Sequence, residues 1–351
     1  MLNMRILRGP LPREVNRVIL SEYNRLTSVQ IPLEEFSNWV QDSPAGAAWH
    51  ALLTTDEGRI VGHTCVFPFQ IAYGEGQIIP AKSEYSFVHE EFRKEKIRGH
   101  ETTSRPTFII LLDQLFQHVL HLGWGPIFAS TNEKNQVFTR KVGLRPLEFP
   151  LWECLLILRP ANAARHTPNL ARKHRASLFA AGIVQRSAWS IARQVLPSSN
   201  GIQSISIAAQ PIDPEGKRLS FFEDVASLQW RYQAEQYARY GVDGAARDHL
   251  IVKRGSKDRY LRVCQYRLSS AKATYPLVRK MIEDAYADGA MGIRWAVYEG
   301  SESSTEIKGK LQKLGFLCAR RVRIVMVHKN QSQFLEPDAW RMNDSHFTYD
   351  P

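Results

Sequence analysis

The sequence predicts a mixed α/β fold built as two similar halves joined by a basic helical connector. Three observations predict it. Apolar-polar alternations bounded by Gly-containing turns are interleaved with stretches of helical periodicity. The same order of elements then runs a second time. Between the two runs, residues 159–200 carry seven Lys and Arg and no Asp or Glu. A chain of 351 residues, 44% hydrophobic and 23% charged, is sized for about two domains and can bury a large core. That composition excludes a disordered or fibrous protein.

Taken in order, helical signals run from Pro12 to Leu26. Strands follow at AAWHALLTTD and RIVGHTCVFPFQIAY, joined by the turn Asp56-Glu57-Gly58. The turn Gly74-Glu75-Gly76 leads to a further strand, and Ser83 to Val88 forms the next, ahead of a charged loop. A helix starts near Ser104 and Pro106, because proline suits a first helical turn, and it ends at Gly123. PIFAS reads as a short strand, Asn135 to Val142 as a helix, and LWECLLIL as a strand. The second run comprises the hairpin HLIVKRGSKDRYLRVCQYRL, a helix from Tyr275 to Ala287, the breaker Gly289, the strand GIRWAV, a helix ending in KLQKLGF and the strand RVRIVMVHK. FTRKVGL at 138–144 and KLQKLGF at 310–316 share an ending that places Gly where a helix needs a C-cap before the last strand. These patterns divide the chain into 1–158, expected to carry the chemistry, a connector at 159–200, a structural or acceptor-binding unit at 201–330, and a tail at 331–351. In the tail, Asp344 and His346 either fold back to the active cleft or fray. In the connector, Leu170, Leu178, Phe179, Ile183, Trp189 and Val195 read as one apolar face packed on a domain.

A net charge of +11 makes an anionic partner reasonable, and the connector is where much of that excess lies. Cys65, Cys154, Cys264 and Cys318 are far apart in hydrophobic runs with no CxxC spacing, so neither a zinc ribbon nor a disulfide scaffold is expected, and a reducing compartment fits. The start of the chain lacks the long apolar core of a signal peptide and no segment reads as a membrane span, so the cytoplasm is expected. No metal is expected.

Three stretches carry a family resemblance: SFVHEEFRKEKI at 86–97, TNEKNQVFTRKVGL at 131–144 and LQWRYQAEQYARY at 228–240. Together with the repeat they resemble the GNAT superfamily of N-acyltransferases in its tandem form. The resemblance implies an acyl-CoA co-substrate, acetyl or longer, lying between two strands that splay beside Ser83–Val88, with the backbone at Phe87 and Val88 facing it. Its pyrophosphate would sit at the following helix N-terminus, where unpaired N–H groups favour negative charge. The phosphate loop has two registers: counted from Arg93 it brings Lys96, Arg98 and Gly99, with Lys96 where the family has glycine; counted back from Gly123 it brings Thr103, Ser104 and Arg105.

The family often places its general base at Glu84, whose strand alternation puts it on one face with Ser86 and Val88. His89, expected in a solvated loop, is the alternative base. Phe138 matches the family's aromatic, and Thr139 stands where a general-acid Tyr is usual. Asn132 and Asn135 either contact the pantetheine arm or cap the helix. The second half has Ser269-Ser270-Ala271-Lys272 in place of a glycine loop and Leu311 in place of the aromatic. Trp230, Arg231, Tyr232, Tyr237 and Tyr240, read at helical spacing, form either core or an acceptor-stacking cluster. The acceptor implied is an amine on a small molecule or peptide. Two rivals remain: a Fem-like transferase using aminoacyl-tRNA, with RNA on the basic connector, and a catalytically degenerate GNAT pair acting as a scaffold.

Overall fold

The computed structural model describes residues 1–27, 30–69, 71–73, 76–100, 104–130, 133–166, 172–195, 202–204, 220–221, 225–232, 237–242, 245–254, 259–268, 271–299, 304–330, 332–336 and 340. The first half comprises β1 (Asn3–Arg8), α1 (Arg13–Thr27), α2 (Leu33–Gln41), β2 (Trp49–Thr54), β3 (Ile60–Pro68), β4 (Ile71–Tyr73), β5 (Gly76–Ile78), β6 (Ala81–Val88), α3 (Thr107–His121), β7 (Ile127–Ser130), α4 (Glu133–Lys141) and β8 (Leu144–Ile157). Two helices form the connector, α5 (Pro160–His166) and α6 (Arg172–Val195). The second half adds β9 (Ile202–Ser204), β10 (Ser220–Phe221), α7 (Val225–Arg231), β11 (Tyr237–Val242), β12 (Ala245–Arg254), β13 (Tyr260–Arg267), α8 (Ala271–Ala287), β14 (Gly292–Tyr298), α9 (Ser304–Lys313) and β15 (Leu317–His328).

One 12-stranded sheet runs through both halves in the order β1-β2-β3-β6-β7-β15-β8-β14-β13-β12-β11-β9. The two halves exchange their last strands. β15, from the second half, pairs with β7 of the first, while β8, from the first, pairs with β14 of the second. In the middle β8 and β15 lie antiparallel along their length, from Leu144↔His328 to Leu155↔Leu317. A smaller sheet also crosses between halves, β10 pairing with β4.

Burial follows from periodicity. In α1 the positions Asn16, Ile19 and Leu20 turn inward. Together with Phe36, Trp39 and Val40 of α2 they cover one face of the first half's sheet, and α3, apolar around most of its circumference, covers the other. The second half has its own core around α8 and α9.

Several sequence expectations change here. Cys154 and Cys318 face each other across β8 and β15 and form a disulfide, Cα–Cα 4.0 Å, whereas Cys65 and Cys264 are thiols. The local spacing of the cysteines did not disclose this pairing, because it depends on a strand register set by residues 164 apart in sequence. The aromatic stretch 228–240 is not one helix: α7 ends at Arg231, and Tyr237 and Tyr240 lie on β11. Its members pack in cores, Trp230 against Trp39 at 4.8 Å between ring centres. In α6, Trp189 is buried as expected, but Phe179 and Ile183 point to solvent. Leu170 and the side chain of Val195 lie outside the described residues, as do Asp344 and His346.

Candidate active site

The site grows from the two unequal edges of β6. On the β3 side, Cys65 pairs with Glu84 and His63 with Phe87, so Thr64 alone faces both Tyr85 and Ser86. This is a β-bulge. Tyr85 adopts φ +52°, a left-handed conformation that a bulky residue takes only when its surroundings enforce it. The enforcement is visible: the Tyr85 ring packs edge-on against Phe36 at 4.8 Å and Tyr23 at 5.3 Å, and its carbonyl accepts a hydrogen bond from His63 Nδ1 at 2.9 Å. On the other edge, β6 and β7 pair only at Ala81↔Ile127 and Lys82↔Phe128. Past Lys82 the two strands diverge, and β6 turns backbone groups into the opening that a ligand's amides can satisfy.

The bulge corrects the expected alternation. Glu84 does not share a face with Ser86 and Val88. Tyr85 and Phe87 belong to the core under α1 and α2, whereas Val88 belongs to the core under α3. Ser86 lies on the α3 side with Thr64, hydroxyl to hydroxyl at 2.7 Å. Glu84 points to the α1 side, its carboxylate 2.8 Å from Lys82 Nζ, with Lys82 only 3% and Glu84 15% exposed. Lys82 Nζ also lies 5.9 Å from the centre of the Phe67 ring. Tyr23 of α1 has its phenol pKa raised, by burial first and by Glu84 second. A buried pair of this kind holds together because removing either partner strands the other charge.

His89 is not the solvated loop residue expected from its neighbours in sequence. It is 2% exposed, because its N–H bonds the Val61 carbonyl and pulls the side chain under α1. There Nε2 lies 3.2 Å from Glu22 Oε2, and Nδ1 lies 3.3 Å from Arg59. The histidine thus ties α1 to the end of β6.

Beneath the bulge runs a hydrogen-bonded chain. Because His63 Nδ1 donates to the Tyr85 carbonyl, its Nε2 is the acceptor for His50 Nδ1 at 3.1 Å. Burial lowers the pKa of His63 to about 4 and that of His50 well below the usual imidazole value, and it raises Cys65. The ligand atoms of His50, His63 and Cys65 lie within 4.8 Å of one another, which makes them the described residues able to hold a metal. Their hydrogen bonds account for the arrangement of the two imidazoles without an ion.

At the far end of β6 the charged loop folds onto the start of α3. The Thr107 hydroxyl lies within 3.0 Å of the Phe92, Arg93 and Glu95 carbonyls, and the Thr107 N–H bonds the Arg93 carbonyl. Pro106, which precedes the helix, supplies no N–H, and the Thr107 N–H is already bonded, so neither offers a donor to an anion. The basic residues surround this end: Arg93 Nε is 3.5 Å from the Val88 carbonyl, Arg98 pairs with Asp56 at 3.3 Å, and Arg105 pairs with Asp113 at 2.7 Å. The Lys96 carbonyl accepts the Leu2 N–H. Gly99 takes φ +83°, and Ser104 is exposed. On α4, Phe138 is exposed and the Thr139 hydroxyl donates to the Gln136 carbonyl at 3.0 Å. Thr103, Asn132 and the side chain of Asn135 lie outside the described residues.

In the second half, β13 carries a bulge at the equivalent point, with Val252↔Val263 followed by Ile251↔Gln265. The turns after the two crossing helices match, Gly125 N–H bonding the Ile79 carbonyl as Met291 N–H bonds the Arg259 carbonyl, so Lys82 corresponds to Arg262 and Glu84 to Cys264, while Leu261 faces the core under α8 as Ala81 faces the core under α3. There β13 and β14 stay paired over four residues, Tyr260 to Val263. The candidate-site residue that sequence reading missed is Lys82, and its signal was a lysine two residues from Glu84 on a strand. His50 and His63 were also missed; His63-Thr64-Cys65 at alternating strand positions was the available clue.

No protein-family model matches the chain, and no curated protein matches it in sequence. Its fold, however, is shared with solved structures. A probable N-acyltransferase from Enterococcus faecalis V583 superposes with a TM-score of 0.59 at 9% identity, covering 95% of this chain and 74% of that one. A putative acetyltransferase from Pyrococcus horikoshii superposes at 0.51 and 12% identity, covering 99% and 95%. A tandem GNAT protein from the clavulanic acid biosynthesis pathway superposes at 0.50 and 11% identity, covering 92% and 98%. With two bulged, parallel-paired halves in one sheet and these likenesses along nearly its whole length, the chain has the tandem fold of the GNAT superfamily.

Proposed function

We propose that the chain is an N-acyltransferase that moves an acyl group from acyl-CoA to an amine on a small molecule or peptide, with the chemistry in residues 1–158. The observation that carries this reading is the opening beside β6, flanked by a bulge and the buried Lys82–Glu84 pair, in one half only. The donor would supply an activated thioester carbonyl. The β6 backbone beyond Lys82 would pair with the amides of an extended arm, and the Val88 N–H would face negative charge developing on the carbonyl oxygen. Glu84, held in place by Lys82 Nζ, would take the proton from the acceptor's ammonium directly or through one water. Arg93, Lys96, Arg98 and Arg105 would offer charge to a diphosphate at the loop end, and Thr139 would offer a hydroxyl to the leaving thiolate.

The test is calorimetric and thermal-shift titration with acetyl-CoA, a long-chain acyl-CoA, free CoA and bulk tRNA, followed by thiol-release assays over an amine panel. Saturable stabilisation by one acyl-CoA, with turnover lost in Glu84→Gln, supports the reading. Indifference to every CoA species overturns it. Binding of tRNA alone would move the assignment to an aminoacyl-tRNA donor, and cellular activity unchanged in Glu84→Gln would move it to a scaffold.

A further inference from the structure

The connector helix α6 is attached to the protein by a narrow face. Gly182 is seated where a side chain would collide with Pro160 and Ile157. The Gln185 amide accepts the Ile157 N–H at 3.0 Å and donates to the Leu155 carbonyl, and Trp189 is buried in the second core. At 100° per residue these three positions lie on one side. The opposite side carries Phe179, Ile183, Val184 and Ile191, exposed to 43%, 48%, 68% and 65%. Among them Ala180, Ser187 and Ser190 bear no charge, and the exposed Arg186, about 20° from Phe179 around the helix, lies at the margin of the face. A helix on a folded domain ordinarily turns its charged residues outward. This one is apolar on its outward face.

Charge decides what covers that face. The connector at 159–200 contains seven Lys and Arg and no acidic residue, in a chain of net charge +11. A second copy of the chain would bring two such basic segments together. An anionic lipid surface accommodates both features, taking the aliphatic side chains among its acyl groups and the basic residues among its headgroups. No helix among the described residues is long and apolar enough to cross a membrane, so the contact would be peripheral.

We infer that α6 is a membrane-docking helix that lies in the plane of an anionic bilayer with Phe179, Ile183, Val184 and Ile191 inserted. This holds whichever reaction the first half performs. The test is co-sedimentation of the full-length protein with vesicles of phosphatidylglycerol and phosphatidylcholine, against phosphatidylcholine alone, at low and high ionic strength. The protein binds the anionic vesicles, binding weakens with salt, and Ile183→Asn with Val184→Asn lowers affinity on the order of tenfold. The thermal midpoint of the double variant stays near that of the parent because both side chains are exposed. Phe179→Ser with Ile191→Ser is the second variant, affecting the same face at separate positions. Failure to bind anionic vesicles, or binding that neither pair of substitutions weakens, overturns the inference. So does a dimer in light scattering that the substitutions convert to a monomer, which would assign the face to a second copy of the chain.

Discussion

The two halves repeat one plan and differ where chemistry would occur. Both have a parallel strand pair with a bulge, followed by a crossing helix, yet the first half places a buried lysine and glutamate at positions where the second places Arg262 and Cys264. Burying Lys82 and Glu84 costs desolvation, whereas Arg262 and Cys264 are half-buried and include no carboxylate. A fold that retains the buried ion pair in one half and not in the other has separated two jobs. The paired length of the strands agrees, with two residues joined in the first half and four in the second. The second half is closed like a core, and the first is open like a site.

The sharpest way to break this comparison is kinetic. Glu84→Gln should lower turnover by about 10²- to 10⁴-fold, measured as thiol release, whereas Cys264→Ala at the equivalent position should leave the rate constant for chemistry unchanged. Equal losses from both variants would end the division of labour. The next effect is on stability. Lys82→Leu alone should cost about 3–5 kcal/mol by stranding the carboxylate. Lys82→Leu with Glu84→Val, which replaces the pair by apolar side chains, should recover most of that loss in urea unfolding while leaving the protein inactive.

A smaller effect, about 2–4 kcal/mol, is expected from breaking the bridge between Cys154 and Cys318 with Cys154→Ser under oxidising conditions. Titrating thiols in the unfolded protein gives a direct check: two react before reduction and all four after it. Finding four without reductant would mean that the protein works with this bridge open, in a reducing compartment. The mildest effect concerns pH. The folded state depresses His50 and His63, the latter to about 4 against an ordinary 6.5. Between these values the unfolded chain binds more protons, so stability should fall as pH drops from about 6.5 towards 4. His63→Asn should flatten that slope in chemical unfolding measured at several pH values.

The element order was legible because its signals are local. The Asp56-Glu57-Gly58 turn and the paired endings at Gly143 and Gly315, both at positive φ, fix where strands and helices stop. The strand carrying Glu84 was legible for the same reason. What the sequence did not disclose depends on register. A bulge at Tyr85 moves Glu84 away from Ser86, and nothing in the string SEYSFV marks it. The burial of His89 depends on Glu22 from another element, and the outward turn of Phe179 and Ile183 depends on Gln185 and Gly182 taking the inward side. Apolar periodicity located a stripe on α6 but did not say which side of the helix the protein occupies.

The exchanged strands also set a timetable for biosynthesis. β8 is complete at Ile157, but β15, which separates it from β7, begins only at Leu317. At ribosomal speeds of about 5–20 residues per second, roughly ten to thirty seconds pass between the two. During that interval the nascent first half exposes two unsealed sheet edges, a template for aggregation. The half proposed to carry the chemistry is therefore sealed only by the last strand made, and a translational stall between the halves would leave a sticky fragment rather than a finished fold.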